Sequence, residues 1–200
     1  MTRDVRNLTP AAHWIILMGL LCLSGCASLH PHQVSVAPLA QLESAPFALT
    51  GRVAINYRGE RNSAGLHWNH QTRSDEILLL NPLGQTVARI ARNAQHATLD
   101  QGEQHYQADD VETLMAQVLG WQLPLGDLHD WVLGLSSGDS PAQIERDEQG
   151  RISVLRQAGW EVRYLSYANA NPDSLPSRLQ LNHNDLQVKL FIDEWDWNSQ

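Results

Sequence analysis

Residues 49–57 read Leu49-Thr-Gly-Arg-Val53-Ala-Ile-Asn-Tyr57. Leu49, Gly51, Val53, Ile55 and Tyr57 fall on one side of a two-residue period, and Thr50, Arg52, Ala54 and Asn56 on the other. Side chains alternate across a strand, so this is the pattern of a strand buried on one face and wet on the other. The period recurs downstream. After a turn at Arg58-Gly59-Glu60, the residues Ala64, Leu66 and Trp68 share one face. Asn69 to Asp75 is polar and reads as a connection to Glu76-Ile-Leu-Leu-Leu80. Asn81-Pro-Leu-Gly84 stops that run as a tight turn with Leu83 at its tip. Val87 to Ile90 and Ala97 to Leu99 continue as strands, so this half predicts an antiparallel meander of about five strands.

The period then changes. Asp109-Asp-Val-Glu112 reads as a capping box with Asp109 as N-cap. Val111, Leu114, Met115, Val118 and Leu119 follow at helical spacing, and Gly120 ends the helix. A second short helix is predicted from Asp127 to Leu133, closed by Gly134. Strands return with Ile144, Ile152 and Val154, a hairpin about Asp147-Glu-Gln-Gly150. Trp160, Val162 and Tyr164 share a face, as do Leu179 and Leu181, and then Leu186, Val188, Leu190 and Ile192. The fold class is mainly β: one curved antiparallel sheet of about ten or eleven strands with an inserted helical pair. Two short helices cannot cover so wide a sheet. The pattern therefore leaves three solutions: a closed barrel, a strongly curved sheet around an apolar cavity, or a fully packed core.

The chain has 200 residues, with 14 Lys and Arg against 22 Asp and Glu and a net charge of −8. Such a balance has no electrostatic footprint for nucleic acid. Residues 1–25 read as an export signal. Arg3 and Arg6 give a basic start, and the apolar stretch Trp14 to Leu23 is well short of the ~20 residues a spanning helix needs. Leu23-Ser-Gly-Cys26 follows and resembles the lipobox of bacterial lipoproteins; the alternative is an ordinary secretory signal ending near Ala27-Ser28. The lipobox makes Cys26 the lipid anchor, with several acyl chains giving stable attachment where one would not. Ala27 stands where an Asp would retain such a protein at the inner membrane, so the resemblance implies the outer membrane. Residues 26–45 read as a flexible tether and 46–200 as one folded domain. Cys22 leaves with the signal, so that domain has no disulfide.

Signals for catalysis are weak. There is no phosphate-binding glycine loop and no His-Glu-x-x-His. His67 and His70, three apart on a strand, face opposite ways and read as surface residues. His105 and Tyr106 have no evident partner, and Asp193, Glu194 and Asp196 read as a solvated edge. The chain reads as a binder and not an enzyme, with no cofactor and no metal.

Thr50-Gly-Arg-Val53, Leu78-Leu-Leu-Asn-Pro-Leu-Gly84, Tyr106-x-Ala-Asp-Asp110, Leu123-Pro-Leu, Trp131-Val-Leu-Gly134 and Leu175-Pro-Ser-Arg-Leu-x-Leu181 with Trp195 occur in that order. Together with the lipobox they resemble the LolB family, the outer-membrane lipoprotein receptors of the lipoprotein-localisation pathway. The resemblance implies a half-closed antiparallel barrel with a helical lid over an apolar cavity. It implies a monomer that takes lipoproteins from a soluble periplasmic carrier by their acyl chains and passes them into outer-membrane lipid. It implies that Leu83 assists membrane insertion; from the residues alone, Leu83 could equally plug the core beneath its turn. The face without charges gives the expected cavity wall. Its strand pairs are Val53 and Ile55, Leu66 and Trp68, Ile77 and Leu79, and Ala88 and Ile90. The later pairs are Trp160 and Val162, Leu179 and Leu181, and Val188 and Leu190, with Leu128 and Trp131 from the second helix. Leu78 and Leu80 are as apolar as Ile77 and Leu79, which leaves the facing of that strand open. Two other classes stand beside the receptor: a lipoprotein scaffold with a packed sheet, and a lipid-directed hydrolase.

Overall fold

The computed structural model describes residues 45–138 and 140–197. The alternating stretch lies within β1 (Phe47–Tyr57). It is followed by β2 (Glu60–Gln71), β3 (Ser74–Leu80), β4 (Thr86–Arg92), β5 (Ala97–Gln101) and β6 (Gln104–Ala108). Two helices intervene, α1 (Val111–Leu119) and α2 (Leu125–Val132). Then come β7 (Ala142–Arg146), β8 (Ile152–Gln157), β9 (Trp160–Tyr167), β10 (Pro176–His183) and β11 (Leu186–Asp196). All form one 11-stranded antiparallel sheet in the order β6-β5-β4-β3-β2-β1-β11-β10-β9-β8-β7. The sheet is open and curved, with β6 and β7 as its two edges. The expected mainly-β architecture is what the chain adopts.

Two meanders meet at the centre, where β1 pairs with β11 from Ala48–Asp196 to Tyr57–Leu186. The inward face carries Leu49, Val53, Leu66, Trp68, Leu179, Leu181, Val188 and Leu190, all buried. The helices lie against this face. α1 buries Val111, Leu114 and Met115, and α2 buries Leu125, Leu128, Trp131 and Val132.

Several local expectations shift by a residue or two. The N-cap of α1 is Asp110, not Asp109: its carboxylate accepts the Thr113 N–H at 2.7 Å. Glu112 is thereby freed from a capping box, and it accepts the Leu125 N–H at 3.0 Å, tying α1 to the start of α2. α2 starts at Leu125, directly after Pro124, and not at Asp127; a proline is well placed at a helix start because its missing N–H is not needed there. The polar connection shrinks to the turn at residues 72–73, since β2 runs to Gln71 and β3 opens at Ser74. In β8 the buried apolar residues are Ile152 and Leu155, not Ile152 and Val154. A register shift between Glu145 and Arg146 leaves Ser153 unopposed and turns the following residues over. β6 adds a strand that faint alternation conceals, because an edge strand buries little on either face.

At the centre of the sheet, Gly51 stands at a second register shift. A Cβ there would lie 2.0 Å from the Phe191 carbonyl oxygen, which is rigid backbone. Gly51→Ala is expected to cost ~3 kcal/mol, the upper end of overpacking effects, by prising β1 from β11. Urea unfolding of the purified variant measures it; an unchanged midpoint would show that the ladder yields without cost.

Candidate functional site

The helices do not cover the inward face evenly. Over β8 to β10 they seal it. Trp131 is fully buried, with its ring 6.0 Å from that of Trp160. Its indole N–H donates to Gln157 Oε1 at 3.1 Å, and Tyr164 donates its hydroxyl to the Trp131 carbonyl at 3.0 Å. The Gln157 amide, itself buried, also accepts from Ser137 N and donates to the Ser137 and Ser140 carbonyls. This half is solid core.

Over β1 to β4 the helices stand off, α1 meeting the sheet at β5 and β6, and a cavity of about 530 Å³ remains. That volume lies in the usual range of small-molecule sites, ~300–1,000 Å³. Val53, Ile55 and Tyr57 of β1 line it, with Leu66 and Trp68 of β2 and Ile77 and Leu79 of β3. β4 supplies Val87, Ala88 and Ile90, β5 supplies Leu99, and β11 supplies Val188 and Leu190. Met115, Val118 and Leu119 of α1 form the roof with Trp121, Leu123 and Leu128. Polar groups on the lining, Glu60, Asn62, Ser63 and Gln101, belong to strand ends at the β1–β2 and β5–β6 turns. Antiparallel order puts these ends on one side of the sheet, so they mark the mouth.

Nine of the residues expected in the wall line the cavity: Val53, Ile55, Leu66, Trp68, Ile77, Leu79, Ile90, Val188 and Leu190. Ala88 and Leu128, also expected there, bring the number to eleven. Five others do not: Trp131, Trp160, Val162, Leu179 and Leu181 lie in the sealed half, where α2 fills the space above the same sheet face. Ile77 and Leu79, rather than Leu78 and Leu80, face inward, since Leu66 pairs with Leu79 and Trp68 with Ile77. The helical contribution from Met115 to Leu123, and Tyr57, Val87 and Leu99, were missed. Their apolar character was visible, but which helix face meets a gap is set by tertiary packing.

The turn holding Leu83 is at the mouth end, because Leu79 and Ala88 just beneath it line the cavity. Asn81 braces it. Its Oδ1 accepts the N–H groups of Leu83 (2.9 Å) and Gln85 (3.0 Å), and its Nδ2 donates to Gln85 Oε1 at 3.0 Å. Gly84 takes φ +78°, which L side chains rarely adopt. The side chain of Leu83 is left 83% exposed and does not plug the core. On the other side of the mouth, Tyr57 donates its hydroxyl to the Gly120 carbonyl at 2.8 Å, fastening the end of α1 to the rim.

The far end rests on a buried polar cluster, although His70 reads from the sequence as a surface residue. His70, Asp75 and Arg92 are direct cross-strand partners on β2, β3 and β4. Asp75, 3% exposed, accepts from the Trp68 indole N–H at 2.7 Å, from His70 Nδ1 at 2.8 Å and from Arg92 Nε. His70 is buried, stacked on Phe47 and 4.1 Å from the His129 ring of α2. The cluster fixes Trp68: the polar edge of the indole is satisfied outside the cavity and its carbon surface is presented to it. Burial alone pushes the Asp75 carboxyl up, but the His70 and Trp68 hydrogen bonds and the charges of Arg92 and His70 outweigh it. Its pKa lies below the ordinary carboxylate value. Among the described residues no group of three or more His, Cys, Asp or Glu is disposed to hold a metal, and no helix is long and apolar enough to cross a membrane. Cys26, the signal segment and the tether up to Ser44 lie outside the described residues.

A depressed folded pKa contributes stability above the unfolded value, ~3.9, and that stability is lost as pH falls through the folded value. Asp75→Asn is expected to lower stability at pH 7 by ~3 kcal/mol, since it breaks a buried charge cluster. It should also flatten the acid limb of the stability curve below about pH 4. Denaturant titrations of both proteins across pH 2–7 check this; parallel acid limbs would remove Asp75 from the account.

A family model described as Outer membrane lipoprotein LolB matches residues 45–195. A protein of Nitrosomonas europaea named Outer-membrane lipoprotein LolB is 39% identical over 193 residues, covering 91% of each chain. One of the same name from Chromobacterium violaceum is 35% identical, covering 90% of this chain and 97% of its own. Among solved structures, a LolA superfamily protein of N. europaea aligns with a TM-score of 0.53 at 10% identity, over 82% of this chain and 96% of its own. An outer membrane lipoprotein-sorting protein domain of Vibrio parahaemolyticus aligns at 0.52 and 9% identity, over 80% and 91%. The structural likeness concerns the fold alone. The sequence match runs through the strands, the braced turn and both helices, and the chain belongs to the outer membrane lipoprotein LolB family.

Proposed function

We propose that this chain is an outer-membrane lipoprotein receptor that accepts acylated lipoproteins from a soluble periplasmic carrier, holds their acyl chains in the cavity, and releases them into outer-membrane lipid. One observation carries the reading: an apolar cavity opens beside a hydrogen-bonded turn that holds a leucine out in water. Membership of the LolB family supports the receptor role and the outer-membrane location.

The physics needs no covalent step. An acyl chain in water costs ~0.8 kcal/mol per methylene, so cargo must stay covered throughout. The strand and helix side chains give that cover without directional bonds, which suits chains of differing length. Lipid gives more cover than the cavity, and the transfer runs downhill by differential affinity. Leu83 contributes ~1.5–3 kcal/mol when buried, sufficient for the turn to dip into a bilayer and leave again. Permanent attachment is assigned to the acyl chains on Cys26, with residues 26–45 as tether and 46–200 as the receptor domain.

The test is transfer in solution. Carrier loaded with a fluorescent triacylated lipopeptide is mixed with the protein and then with liposomes. Cargo should leave the carrier and become resistant to carbonate extraction; cargo that never leaves the carrier overturns the proposal. Leu83→Glu should leave acceptance within twofold and cut delivery about tenfold or more, a change of ~1.4 kcal/mol or above. Equal loss of both steps would instead give Leu83 a role in docking or folding.

A further inference from the structure

Regular alternation along β4 would put Ala88 and Ile90 on the inward face and send Val87 outward with Arg89. The ladder departs from that. Leu79 pairs with Ala88, but Leu80 pairs with Thr86, so Val87 has no opposite residue on β3. It is the extra residue of a β-bulge, a device that re-aims a side chain and recurs beside functional sites. Here it brings Val87 onto the cavity lining next to Ala88. Val87 is also 45% exposed, whereas the neighbouring inward residue Ile90 is buried. It belongs to the wall and to the outside at once.

Its position in the chain gives this meaning. Asn81 and Gln85 close the turn with a 2.9 Å backbone hydrogen bond. Val87 lies two residues past that closure and four from Leu83, on the mouth side of the cavity. At ~3.4 Å per strand residue, it stands ~7 Å below the closing pair. Leu79 and Ala88 lie within the cavity, Val87 at its rim and Leu83 beyond it.

We infer that Val87 is an exit residue: the bulge sets it as an apolar step between the cavity and the Leu83 turn, covering the departing acyl chain until lipid covers it. This rests on the receptor function proposed above and adds a residue that acts in delivery alone. Acceptance does not need the step, because the carrier supplies cover on that side of the exchange. Delivery does, because the chain must pass from wall to bilayer without an interval in water.

The experiment uses the full-length lipidated chain in liposomes, the same carrier and the same triacylated lipopeptide. Cargo leaving the carrier and cargo gaining carbonate resistance are followed separately. Val87→Asn should slow delivery about tenfold and release from the carrier by about twofold at most. Val87→Ile should behave as wild type. Leu165→Asn is the control, since Leu165 is 56% exposed on the opposite face of β9 and outside the cavity; it should change neither rate. Thermal melts confirm that each variant is folded. Wild-type delivery by Val87→Asn overturns the exit role and leaves the receptor function standing. So does equal slowing of acceptance and delivery, which would make Val87 ordinary wall, or equal slowing by Leu165→Asn, which would make the effect one of surface hydrophobicity. If the wild-type protein itself takes nothing from the carrier, the receptor function has failed instead.

Discussion

The pairing of β1 with β11 constrains everything else. It joins the two meanders at the middle of the sheet, so the strands that begin and end the domain are neighbours and β6 and β7 stand at opposite edges. The chain between β6 and β7 must then cross the whole sheet. It crosses on the inward face, where apolar side chains from both meanders await cover, and it does so as α1 and α2. The lid is therefore a requirement of the strand order and not an ornament on it. Two helices of nine and eight residues cannot fill a curved 11-stranded face. α2 and its bulky Trp131 fill one half, and the other half is left open as the cavity.

An apolar hollow tends to collapse unless its walls are held. Here the holding is polar and lies at the periphery. At the far end Asp75 fixes Trp68, His70 and Arg92 across three strands. At the roof Glu112 binds the backbone of Leu125, and at the rim Tyr57 binds Gly120. Each bond satisfies a polar atom that would otherwise be costly to leave near apolar surface. The result is a cavity whose wall is hydrocarbon inside its polar mouth and whose supports lie at the periphery. An apolar ligand there would be held by apolar contact, while the shape of the cavity depends on bonds at its periphery.

Much of this was legible in the sequence. Alternation gives the facing of strand residues, and it placed Val53, Leu66, Val188 and Leu190 on the inward side, as the structure has them. The Asn81-to-Gly84 run gave a turn with Leu83 at its tip. What alternation cannot give is what lies opposite a face. Val162, Leu179 and Leu181 share the phase of the cavity residues and are packed solid, because α2 happens to sit there. A bulge is equally silent: Val87 and Ser153 carry no mark that one extra residue has entered the ladder. His70 was misread for a related reason. Its partners Asp75 and Arg92 lie on two other strands, and only the cross-strand register shows a charge cluster where the linear sequence shows a polar loop.

The central ladder also sets when the domain can form. Arg52 and Asp193, bonded across it, are 141 residues apart. Contacts of such separation must overcome a large loss of chain entropy before they return any energy, and folds that depend on them form slowly. Until the last strand is available, β1 has an open edge and the inward face of the first meander lacks half its neighbours. The sheet therefore cannot be completed until β11 has been made.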